Sequence, residues 1–131
     1  MLGGREVLLV TRDKACILRQ SGKPDATLAP AAPCRFLRHK GQVLRHSYPA
    51  RKVDEVVMVG GSPASIERKR YFNASADSEC GDVAQGLLVR GTTVEPSRYA
   101  LRGGLVCNNV GLDEKDFYAV AHEYDTGPGT P

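Results

Sequence analysis

Four cysteines constrain this chain more than any other feature, because Cys16, Cys34, Cys80 and Cys107 separate into a first pair and a second pair with a long cysteine-free stretch between them. An even number so divided predicts two local disulfides, Cys16 with Cys34 and Cys80 with Cys107. Between the first two lie Gly22, Pro24, Asp25 and Pro30, turn formers that let the apolar stretches around Cys16 and Cys34 return alongside one another. The second pair brackets two strand candidates, residues 83–89 and 99–106. Closing a loop of either size contributes about 3 kcal/mol in the chain-entropy description. The alternative use of the same residues is as four buried thiols in a reducing compartment. Structural zinc is excluded by spacing, since no Cys-x-x-Cys or Cys-x-x-His pair occurs.

Disulfides imply an oxidising compartment. Residues 1–30 do not read as a signal peptide, because Met1-Leu2-Gly3-Gly4 is followed at once by Arg5 and Glu6. The expectation is therefore a mature periplasmic or secreted chain, with a cytoplasmic protein as the alternative.

At 131 residues the chain suits one hydrophobic core. It is read as one globular domain over residues 1–125, followed by a disordered tail over 126–131. No apolar run approaches the roughly 18 residues a membrane helix needs. Tryptophan is absent, so the core is expected to rest on Val, Leu, Ile and Ala, with Tyr48, Tyr71, Phe72, Tyr99, Phe117 and Tyr118 as the larger pieces. The net charge of +3 hides an asymmetry. Residues 1–70 carry 14 Lys+Arg and 6 Asp+Glu (14 − 6 = +8), whereas residues 71–131 carry 4 and 9 (4 − 9 = −5). If the halves form different faces, the basic one attracts an acidic partner; if strands interleave, the charges mix.

Short apolar runs bounded by turn residues predict strands over Arg5–Thr11, Lys14–Arg19, Cys34–Arg38 and Gln42–Tyr48, with turns at Arg12-Asp13 and His39-Lys40-Gly41. The stretch Ser21–Pro33, with its prolines and alanines, reads as an exposed loop and a candidate contact surface. Val53–Val59 is the clearest strand and is expected to end in a turn at Gly60-Gly61-Ser62-Pro63. Strands are also expected over Gly81–Arg90 and Arg98–Cys107, joined by a link from Gly91 to Pro96. One helix is expected, capped by Asp113 and running to about Tyr124, with Phe117, Val120, Ala121 and Tyr124 as its core stripe. These elements predict an α+β, β-rich fold: a curved antiparallel sheet or partly open barrel with one C-terminal helix packed on it.

No pattern in the chain carries recognisable catalytic chemistry. Gly60-Gly61-Ser62 lacks the lysine spacing of a phosphate-binding loop, and no Gly-x-Ser-x-Gly nucleophile motif is present. His39 and His46 are seven residues apart, an offset that opposes them on one strand, and His122 sits where a helix C-terminus favours a histidine by its dipole. Asn73-Ala74-Ser75 fits the N-glycosylation pattern, which short chance matches also satisfy. The cluster Arg68-Lys69-Arg70-Tyr71-Phe72 joins positive charge to aromatic rings. It is the strongest candidate contact, whether for an acidic protein or for nucleic acid.

The reading that follows is a small non-enzymatic, disulfide-stabilised module, a bacterial envelope protein that binds or inhibits another protein. Its expected partner-binding residues are Arg68, Lys69, Arg70 and Tyr71 with Gly60, Gly61 and Ser62; no cofactor, metal or membrane span is expected. The alternative is a cytosolic nucleic-acid-binding or assembly domain with reduced cysteines.

Overall fold

A computed structural model describes residues 2–107 and 114–122. The chain is built mainly of antiparallel strands. The first three, β1 (Val7–Arg12), β2 (Ala15–Gln20) and β3 (Ala26–Ala31), form a meander in that order. Next come the short strands β4 (Arg35–Phe36), β5 (Arg38–His39), β6 (Gln42–Val43) and β7 (His46–Tyr48), then a 3₁₀ turn over Pro49–Arg51. A long strand, β8 (Val53–Pro63), leads into helix α1 (Ile66–Tyr71). Strands β9 (Cys80–Arg90) and β10 (Thr93–Cys107) follow, and α2 (Glu114–His122) is the last described element.

The second sheet runs β10-β9-β8-β4, with β7 sharing the β4 edge of β8, and β5 and β6 form a separate small hairpin. The sheets do not close on themselves. Instead the β8–β9 ribbon is sandwiched. On one face Val57, Val59, Leu87 and Val89 meet Cys16, Leu18 and Leu28 of the meander. On the other, Val56, Met58, Ala84 and Leu88 meet Phe117, Val120 and Ala121 of α2. Because alternate side chains of a strand point to opposite faces, a strand covered on both must be apolar throughout. This is why Val56-Val57-Met58-Val59 is an unbroken apolar run. Gly86 on β9 makes room for α2, for a Cβ there would lie 2.2 Å from a Val120 methyl.

The two disulfides join the predicted partners. Cys80 and Cys107 are directly opposed on β9 and β10, with Cα atoms 4.0 Å apart. Cys16 on β2 bonds Cys34, just ahead of β4, at a Cα separation of 5.9 Å, tying the meander to the second sheet. Buried glutamines add to that tie. Gln85 accepts from the Ala29 N–H at 2.7 Å and donates to the Ser97 carbonyl at 2.5 Å, while Gln20 donates to the Val94 carbonyl at 2.8 Å.

Several expectations change. The β-rich α+β pattern stands, but helix α1 joins the C-terminal one. Ser21–Pro33 is not a free loop: β3 forms within it, with Leu28 and Pro30 buried. Strand β8 does not end at Val59 but carries Gly60 to Pro63 in register with β9. The physical reason is close approach, since a Cβ on Gly61 would meet the Ala31 carbonyl oxygen at 2.5 Å and one on Gly81 the Gly61 oxygen at 2.1 Å. Likewise β10 starts at Thr93, so the supposed link from Gly91 to Pro96 is a tight hairpin. Phe117, Val120 and Ala121 are buried as expected, whereas Tyr71, Phe72 and Tyr118 are exposed. The expected cap at Asp113, Tyr124 in the stripe and the tail 126–131 lie outside the described residues.

Candidate functional site

Helix α1 is short, and its ends explain why it forms at all. Ser65 caps it, its hydroxyl accepting from the Arg68 N–H at 3.1 Å, and Glu67 lies in the first turn where the helix dipole favours an acid. Arg68, Lys69 and Arg70 crowd the last turn, where the dipole favours cations. Asn73 then takes a left-handed conformation (φ 60°), so that the Ala74 N–H reaches back to the Lys69 carbonyl and the Asn73 N–H to that of Arg70. Asparagine tolerates that geometry better than most residues. The Asn73-Ala74-Ser75 triplet therefore has a structural role as the helix stop.

The cluster residues differ in what they do. Arg68 lies 3.2 Å from the Asp82 carboxylate on β9 and stacks over the Phe72 ring at 5.2 Å. Lys69 donates to the Ala76 carbonyl at 3.1 Å, drawing the following loop against the helix. Both cations thus spend part of their bonding capacity inside the protein. Arg70 points to solvent. Tyr71 is 81% exposed and Ile66 56%, and the Tyr71 ring meets Phe72 edge-on with centroids 5.0 Å apart. The helix buries none of its side chains.

Beside α1 a groove of about 330 Å³ runs between the Asp77–Glu79 segment and the end of β8. Lys69, Arg35 and Glu79 line it, and Cys80 and Gly81 lie along it. Gly60 and Gly61 reach this groove, but as buried strand residues rather than the tips of a turn. Ser62 is half-buried, and its hydroxyl accepts from the Ala31 N–H at 3.0 Å. The structure therefore brings Arg68, Lys69, Arg70 and Tyr71 together on one helix and places Gly60, Gly61 and Ser62 in the wall behind it. Ile66 escaped sequence reading because no helix was expected over residues 66–71, so nothing placed it on one surface with Tyr71.

Charge is mixed rather than split between faces. Arg35 with Glu79 and Arg68 with Asp82 pair the basic first half with the acidic second half. The Ser75 hydroxyl beside Asp77, together with a backbone hydrogen bond, lowers that carboxyl's pKa. His39 lies on β5, and the His46 ring packs tilted against Phe117, with centroids 4.2 Å apart. His122 ends α2, on a different element again. Among the described residues no group of three or more His, Cys, Asp or Glu could hold a metal ion, and no helix is long and apolar enough to cross a membrane.

The fold and its surface define a small β-rich module stitched by two disulfides. No protein-family model, curated protein or solved structure matches the chain.

Proposed function

We propose that this chain is a non-enzymatic binding module of an oxidising compartment, a bacterial envelope protein that docks an acidic surface of another protein on helix α1 and thereby binds or inhibits it. The observation that carries this reading is that α1 buries none of its side chains, yet presents Tyr71 at 81% exposure with Ile66 and the neighbouring Arg70. A helix serving only the fold would turn its apolar residues inward. Tyrosine and arginine are the residues that most often anchor protein interfaces, and a flanking cation speeds encounter with an acidic partner. The two disulfides support extracytoplasmic maturation, since such bonds persist where thiols are not kept reduced.

The test uses a photo-crosslinking residue at position 71 in the producing cell, with the same residue at position 118 as control. The expected product is an acidic protein captured from position 71 alone. Its association with the purified chain should then slow by about tenfold on Arg70→Glu and lose its salt dependence. Capture of nucleic acid, or an on-rate unaffected by both Arg70→Glu and salt, would refute the assignment. Arg70 is the informative cation here, because reversing Arg68 or Lys69 also breaks bonds within the module.

A further inference from the structure

We infer that β1 is a self-pairing edge: two copies of the chain join β1 to β1 in antiparallel register about Leu9, continuing the three-stranded meander into one six-stranded sheet. This surface is separate from α1 and does not depend on the reading given for it. An unpaired strand edge is a template for another strand unless it is blocked. The edge strand β10 carries Pro96 and two register breaks, between Pro96 and Ala100 and between Arg102 and Val106. The free side of β3 is occupied, with the Ala29 and Ala31 N–H groups donating to the side chains of Gln85 and Ser62. Strand β1, at the end of its sheet among the described residues, has none of these devices: Val7–Arg12 contains no proline, glycine or bulge, carries its one charge at the last position, Arg12, and pairs continuously with β2.

The hairpin geometry fixes which backbone groups face outward. Asp13 and Lys14 form a two-residue turn with φ of 52° and 65°, so the closing pair Arg12 and Ala15 exchanges both its hydrogen bonds. Alternation then turns the N–H and C=O groups of Val7, Leu9 and Thr11 away from β2. Two copies related by a twofold axis through Leu9 place Leu9 against Leu9 and Val7 against Thr11, giving up to about six ladder hydrogen bonds, two for each such pair.

The same register is self-complementary in side chains. On the outer face Leu8, which is 51% exposed, lies opposite Val10 of the second copy, and exposed Glu6 lies opposite its Arg12. Arg12 already holds Asp25 at 2.7 Å, and a guanidinium with five N–H donors has bonds left for a second carboxylate. Opposite charges directly across an antiparallel pair stabilise it, and like charges oppose it. Any register shifted by one residue would place outward side chains against inward ones.

Sedimentation of the intact, oxidised chain over a concentration series tests this, together with residue-resolved amide exchange. A dimer is expected, with the Val7, Leu9 and Thr11 amides gaining protection as concentration rises, while the Leu8 and Val10 amides, already bonded to β2, do not change. Glu6→Arg, at an exposed position, should weaken the dimer by about tenfold through two symmetric like-charge pairs, and adding Arg12→Glu should restore it. Retained disulfides, and a melting temperature that matches the parent chain at concentrations low enough for both to be monomeric, show that the variants fold. A chain monomeric to about 1 mM would overturn the inference. So would a dimer indifferent to Glu6→Arg, or one whose new protection falls on α1 or β10 instead. Protection of the three amides only by another protein's strand would overturn the choice of a second copy as occupant.

Discussion

Gln85 offers the sharpest test of how the two sheets are held together. Its side chain, almost fully buried, accepts from the Ala29 N–H of β3 at 2.7 Å and donates to the Ser97 carbonyl of β10 at 2.5 Å. Gln85→Met keeps the length and bulk of the side chain but removes both bonds. The Ser97 carbonyl, on a residue only 2% exposed, is left without that donor, while water can partly replace the acceptor for the half-buried Ala29 N–H. A buried group stripped of its partner costs about 1 to 3 kcal/mol, so the total is about 2 to 3 kcal/mol once Ala29 is discounted. At about 2 kcal/mol per molar urea, the unfolding midpoint falls by about 1 to 1.5 M, measured with both disulfides intact. Faster exchange of the Ala29 amide under native conditions should accompany it. A midpoint shift below about 0.3 M, with Ala29 exchange unchanged, would refute the role assigned to Gln85.

The companion change Gln85→Glu adds a sign that can be checked. Protonated, a carboxyl there can still accept from Ala29 and donate to Ser97. Ionised, it loses the donor and carries a charge into a buried site, so its folded-state pKa lies above the roughly 4.3 of the unfolded chain. The raised value means that stability is intact below the unfolded pKa and is lost as pH rises toward the folded one. Stability that instead increased with pH over that interval would contradict the buried, donor-requiring site.

Three further outcomes follow from particular contacts. Gly86→Ala would push a Cβ to within 2.2 Å of a Val120 methyl and should destabilise by about 1 to 3 kcal/mol, with Val120→Ala in the same chain recovering part of the loss in a double-mutant cycle by urea unfolding. Replacing Cys16 and Cys34 by alanine should cost about 3 kcal/mol, as should replacing Cys80 and Cys107; non-reducing peptide mapping should find Cys16 linked only to Cys34 and Cys80 only to Cys107. Asp25 has a lowered pKa, first through its hydrogen bond from Arg19 and then, against partial desolvation, through the charges of Arg19 and Arg12. A depressed carboxylate contributes stability above its unfolded pKa and loses it as pH falls through the folded one, so Asp25→Asn should flatten the acid limb of a stability titration below about pH 4.

The candidate site was partly legible in the chain. Arg68-Lys69-Arg70-Tyr71 stood out because charge beside an aromatic ring is rarely core, and these residues do lie together on one helix. What stayed hidden was the division of labour among them. Arg68 answers to Asp82, fourteen residues away, and Lys69 to a loop carbonyl, neither of which a local pattern can announce. Gly60 and Gly61 read as a turn because glycine pairs usually punctuate. Here they serve close packing, and only the neighbouring backbone of Ala31 and Gly81 shows it.

The sequence by itself pointed to the pairing of the cysteines, the strand over Val53–Val59 and the stripe of Phe117, Val120 and Ala121. Each is encoded locally, by loop length or by the period at which apolar residues recur. Only the tertiary structure decided that Ala26–Ala31 is a strand. Alanine and proline carry little preference for one, and this segment owes its state to groups far along the chain. Leu28 and Pro30 find a core to enter, and the Ala29 and Ala31 N–H groups find their acceptors on Gln85 and Ser62. A backbone donor must be satisfied when it is buried, but nothing in its own neighbourhood says by whom.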